Sequence, residues 1–106
     1  MKISRLYHTH DIRLEETPLP EPGKGEVLVR LAAMSICGSD IHWFAEGGIG
    51  TYTLEQPLVL GHELSGIIDS GPRKGERVAI DPAIPCGHCE CCEEGNPNLC
   101  TSLTCA

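Results

Sequence analysis

The chain has 106 residues, a formal charge of −7 and a hydrophobic share of 41%. That length fits one domain, and the acidic balance excludes the Lys/Arg excess that nucleic acids and anionic membranes select. No apolar run approaches the roughly 18–20 residues of a membrane span, and the opening MKISRLYHTHDIRLEE has no apolar core before a small-residue cleavage site, so the expectation is a cytoplasmic protein without a secretory signal.

In chain order, IRLEETPLPEPGKGE breaks short extended runs with Pro18, Pro20, Pro22, Gly23 and Gly25, and VLVRLAAMSI then reads as a strand. After Gly38, SDIHWFAEG predicts a short helix, capped by Ser39 or Asp40 and ended at Gly47 or Gly48. GGIGTY reads as a flexible loop. From Pro57 to Gly71, PLVLGHELSGIIDSG predicts a second strand, with Gly61 and Gly66 marking bulges or close backbone approach. KGERVAID turns into a third strand. From Pro82 onward the composition shifts to Cys, Gly, Pro, Asn and Glu, a lobe of loops with one helical turn around Glu90–Glu94. Several short strands with Gly/Pro punctuation predict a mainly β domain, a barrel with a short helix and a Cys-rich lobe.

The lobe holds CGHCECCEEGNPNLC, and Cys86, Cys89, Cys92 and Cys100 give the spacing C-x2-C-x2-C-x7-C. Lasting disulfides are rare in a reducing cytosol, and the chain's seven cysteines cannot all pair. Structural zinc wants four soft ligands in a tetrahedron, which this spacing supplies. A redox C-x-x-C pair, an iron–sulfur cluster and unligated thiols remain the alternatives, although a redox pair would want a βαβ context. Cys91 reads as pointing away, a choice against Cys92 that rests on spacing alone. His88 reads as a solvated loop residue, as do His8 and His10 near the start, and Cys105 reads as a free thiol.

A closed four-thiolate site stabilises and does not catalyse. Cys37, His62 and Glu63 are a thiolate, an imidazole and a carboxylate, and a catalytic zinc keeps three such ligands and one open position. GHE alone is a weak signal. The order of the motifs is more telling: C-G-S-D-x-H, then P-x-x-L-G-H-E, then the four-cysteine lobe. In that order they resemble the zinc-dependent medium-chain dehydrogenases. ICGSDIHWFAEGGIGTYTLEQPLVLGHELSG resembles, more narrowly, the sorbitol and L-idonate dehydrogenase branch.

The resemblance implies a GroES-like β-barrel carrying two zinc ions. Cys37, His62 and Glu63 would hold the catalytic one, and Cys86, Cys89, Cys92 and Cys100 the structural one. It also implies that Ser39 touches the substrate hydroxyl and that His42 continues a proton path to water. A serine hydroxyl both donates and accepts, and an imidazole with an unperturbed pKa near ~6.5 suits a relay. The competing roles are a helix cap for Ser39 and a surface helix histidine for His42. Of Trp43 and Phe44, one is expected to line the substrate cleft while the other packs inside.

The implied substrate is a small alcohol or polyol, and the implied cofactor is NAD or NADP. No G-x-G-x-x-G opens a helix after a strand, so the nucleotide-binding domain is expected to lie outside residues 1–106, and this chain alone is expected to be inactive. A homo-oligomer is the family's habit for the full-length enzyme. The alternatives are a stand-alone, non-catalytic structural zinc module and a thiol redox or metal-handling protein.

Overall fold

The first two strands form a hairpin because residues 9 and 10 make a turn that His10 accommodates with φ of 62°. In the computed structural model, which describes residues 1–105, β1 (Lys2–His8) pairs antiparallel with β2 (Asp11–Glu16) and, on its other side, with β6 (Leu58–Val59). Leu6 lies where these three strands meet and is fully buried. The outer face of the hairpin is polar: Arg5 Nε donates to Glu15 at 3.0 Å, and Arg13 stacks over the Tyr7 ring at 4.3 Å.

A second sheet has the order β3-β7-β8, from β3 (Val29–Ser35), β7 (Glu63–Ile68) and β8 (Arg77–Ile80). Gly66 sits at its centre. A Cβ there would come within 2.5 Å of the Arg30 carbonyl oxygen and 2.8 Å of Val29 Cγ1, so only glycine lets β3 and β7 approach this closely. The stretch read as one strand from Pro57 to Gly71 is in fact two, β6 and β7, which belong to different sheets. Gly61, at φ of 106°, makes the break, since side-chain-bearing residues rarely adopt that conformation. The consequence is functional: His62 and Glu63 leave the turn at the rim of the second sheet.

Helix α1 (Gly38–Glu46) leaves β3 almost at once. Its N-cap is Cys37, in extended conformation, while Ser39 and Asp40 lie in the first turn; the cap therefore sits two or three residues before the expected Ser39 or Asp40. Asp40 completes the cap from inside by accepting the Cys37 N–H at 2.9 Å. GGIGTY forms a small hairpin, β4 (Gly48–Ile49) with β5 (Tyr52–Thr53). In the lobe, β9 (Ala83–Ile84) pairs with β10 (Thr104–Cys105) and encloses helix α2 (Glu90–Glu93) and a 3-10 turn at Pro97–Leu99. No described residue of the chain forms a helix long and apolar enough to cross a membrane.

The architecture is a mainly β shell with little inside it. Leu6 and Ile68 are the buried hydrophobic residues among those described. The accessible surface is 8036 Å², against about 5,800 Å² for a typical folded chain of this length. The radius of gyration is 15.7 Å, against about 13 Å. Ile12, Met34, Ile36, Ile41 and Phe44 line an open apolar groove of about 320 Å³.

Candidate metal centres

Two separate clusters of ligand-type side chains emerge. In the lobe, Cys86, Cys89, Cys92 and Cys100 bring their sulfurs within 4.8 Å of one another. A tetrahedron of thiolates around zinc at 2.3 Å has sulfur–sulfur edges of about 3.8 Å. The observed separations are 3.5 Å for Cys89–Cys92, 3.9 Å for Cys89–Cys100 and 4.0 Å for Cys86–Cys92. The cage fits zinc in size as well as in chemistry.

Local backbone builds this cage. Cys89 caps α2, so Cys92 comes round on the first helical turn and meets it. The N–H groups of Cys86 and Ser102 point at Cys100 Sγ from 3.3 and 3.4 Å, offsetting negative charge on sulfur. A backbone N–H bond from Thr101 draws the Cys89 thiol down to about 5, while burial pushes Cys92 up to about 12. Four thiolates so close repel one another; a divalent cation is the natural way to hold all four ionised. Cys92, not Cys91, contributes to the cluster. His88 turns its Nδ1 to the Cys86 carbonyl oxygen at 2.7 Å, the behaviour of a loop residue.

The second cluster is Cys37, His62 and Glu63, whose ligand atoms also lie within 4.8 Å of one another. Cys37 comes from the β3–α1 junction and the other two from the start of β7. Cys37 is 25 and 26 residues from the other two in sequence, and cross-strand pairing closes the distance: Ser35 is opposite Glu63 in the β3–β7 register. Thiolate, imidazole and carboxylate make a three-ligand set that suits a divalent ion with one position left open.

Asp40 is the post behind this cluster. It is 7% exposed, the one buried charged residue among those described. Its Oδ2 accepts the Cys37 N–H at 2.9 Å, and its Oδ1 accepts the Gly61 N–H at 3.3 Å and lies 3.5 Å from His62 Nδ1. A carboxylate on that side favours a proton on Nδ1 and leaves the Nε2 lone pair for a metal. Sequence reading offered Asp40 only as a helix cap; its grip on both halves of the cluster follows from the Gly61 turn, which no local pattern announces.

Ser39 Oγ lies 3.2 Å from His62 Nε2, on the side where an ion would sit. His42 does not meet it: among the described residues no direct hydrogen bond joins the two, and His42 Nδ1 instead lies 3.1 Å from Glu46, one helical turn on, in an exposed pair. Beside the cluster runs a cleft of about 420 Å³, lined by Ser39, Trp43, Tyr52, Leu58, His62 and Cys105. Trp43 faces this cleft, while Phe44 stacks edge-on against His10 at 4.9 Å. Tyr52 and Cys105 were not singled out for the cleft by sequence, because each reaches it from a separate short hairpin.

A strand-built shell with a sealed cysteine cage and a three-ligand cluster at the β3–α1 junction defines a class. The chain belongs to the alcohol dehydrogenase GroES-like domain family, which residues 23–106 match. Sorbitol dehydrogenase from Bacillus subtilis is 42% identical over 109 aligned residues, covering 97% of this chain and 31% of that protein. Among solved structures, L-idonate 5-dehydrogenase from Escherichia coli superposes with a TM-score of 0.87 at 34% identity, over 99% of this chain and 31% of that one. An Escherichia coli alcohol dehydrogenase complexed with NADH gives 0.85 at 38% identity, over 100% of this chain and 32% of that one. The chain thus spans about a third of the length of the relatives it matches.

Proposed function

We propose that residues 1–106 form the zinc-binding catalytic domain of an NAD(P)-dependent dehydrogenase. That enzyme oxidises a secondary alcohol, of the sorbitol or L-idonate kind, to the ketone. The observation that carries this reading is the three-ligand cluster of Cys37, His62 and Glu63, standing apart from the four-cysteine cage and opening on a cleft. A stand-alone structural module would have use for the cage and none for the triad.

When bound at the triad, zinc supplies Lewis-acid polarisation of the alcohol oxygen. The chain's own residues do the rest. Asp40 fixes the His62 ring and the Cys37 backbone. Ser39, next to His62 Nε2, accepts the proton of the substrate hydroxyl. His42, exposed at 58%, passes it to water, with solvent bridging the gap between the two side chains. Trp43 and Tyr52 wall the cleft that receives the carbon chain. Hydride acceptance requires a nicotinamide, and a nucleotide-binding domain outside residues 1–106 provides it in this reading. The sparse core and the open apolar groove support a partnership with further polypeptide. The substrate is a small molecule, the compartment is the cytoplasm, and the complete enzyme is a homo-oligomer.

Zinc content tests the proposal. Protein purified with zinc is expected to hold two ions per chain by elemental mass spectrometry, and Cys37→Ala is expected to hold one. A single ion in both would reduce the chain to its structural site, and none, with freely titrating thiols, would favour redox work.

A further inference from the structure

We propose that Ser35 is a positioning residue, whose hydroxyl holds Glu63 so that the carboxylate presents its free oxygen to the ion shared with Cys37 and His62. The inference rests on the metal reading of that triad.

Ser35 ends β3 and Glu63 begins β7, and the two are directly opposite in the antiparallel register, at the end of the ladder nearest the triad. Side chains in such a pair stand on the same face of the sheet, close enough to touch. Here they do: Ser35 Oγ donates to Glu63 Oε2. Among the described residues, no other side chain donates to the Glu63 carboxylate. Glu63 is exposed, and a free glutamate samples many rotamers, all of which it must give up to ligate. A short hydroxyl anchored in the strand removes much of that freedom beforehand. It engages Oε2 and leaves Oε1 without a side-chain donor among the described residues, so Oε1 is the oxygen that would be offered to an ion.

The three ligands then have separate supports. Asp40 reaches the Cys37 backbone and the His62 ring, and it makes no bond to Glu63. Without Ser35 the carboxylate would be the one unsupported ligand of the set. Partners of this kind typically affect metal affinity by about 10–100-fold. Ser35 is itself exposed, so competition from water places the expected effect at the low end, about tenfold.

The experiment is a Co(II) titration of the zinc-free protein, followed by visible absorption, with Ser35→Ala and Ser35→Thr beside the parent. The four-thiolate ion in the lobe serves as an internal control for folding. The parent is expected to bind two equivalents. Ser35→Ala should bind the triad ion about tenfold more weakly and with altered d–d bands, while the thiolate bands of the lobe stay unchanged. Ser35→Thr, which keeps the hydroxyl on a residue suited to a strand, should restore both affinity and bands. Parent-like affinity and spectrum in Ser35→Ala would overturn the proposal, as would equal weakening of both ions, which would mark a folding effect. A parent that binds only the lobe ion would overturn it together with the metal reading of the triad.

Discussion

Cys92→Ser is expected to empty the lobe of metal and release residues 86–105 to proteolysis, while the two three-stranded sheets survive. None of those residues is buried. Their regular structure amounts to a four-residue helix, a single 3-10 turn and one two-residue strand. Elements so short are not stable in isolation, so the ion must provide their folding energy. Structural zinc supplies about 10–16 kcal/mol in small zinc-dependent peptides at neutral pH, far more than the lobe's own contacts offer. Cys91→Ser is the matched control and is expected to change nothing, because Cys91 lies outside the cluster. Limited proteolysis with mass spectrometry of the fragments, together with zinc content, reads both variants. A protease-resistant, metal-bearing lobe in Cys92→Ser would remove the cage from the account.

Asp40→Ala is expected to be the most damaging single change around the triad. It orphans the N–H groups of Cys37 and Gly61, each of which now donates to the carboxylate. Leaving a buried donor unsatisfied costs about 1–3 kcal/mol; these two are only part-buried, which puts each in the lower part of that range, and the variant should lose about 2–4 kcal/mol in a denaturant titration. It also frees the His62 ring and the cap of α1, and affinity at the triad should fall about 10–100-fold. Metal in the lobe should be held as before. Asp40→Asn keeps an acceptor for one backbone N–H and should fall between the two. Undiminished triad affinity in Asp40→Ala would mean that Cys37 and His62 are held by something else.

Much of this was legible in the residues. The lobe announces itself because its ligands are local: four cysteines within 15 residues leave few ways to arrange a tetrahedron. The helix after Gly38 and the strand before Cys37 follow from patterning, and the GroES-like class follows from the order of three motifs. The triad was nameable only through that order, since its members come from different elements and each alone is an ordinary residue. The division of Pro57–Gly71 into two strands was hidden, because Gly61 reads equally as a bulge or a turn, and only the competition between two sheets decides. Ser35 and Tyr52 were hidden for a related reason. Ser35 matters for Glu63, which pairs across from it, and Tyr52 for the cleft its hairpin reaches; contacts between segments distant in sequence leave no mark in the local pattern.

One polypeptide holding two unlike zinc sites is the claim on which the enzymatic interpretation depends. A crystal of the zinc-loaded protein, with diffraction recorded on both sides of the zinc absorption edge, locates each ion against its side chains. Two anomalous peaks are predicted, one inside the sulfurs of Cys86, Cys89, Cys92 and Cys100, the other bounded by Cys37, His62 and Glu63 with a corner open to the cleft. A peak in the lobe alone, with Cys37 and His62 turned apart, would contradict it.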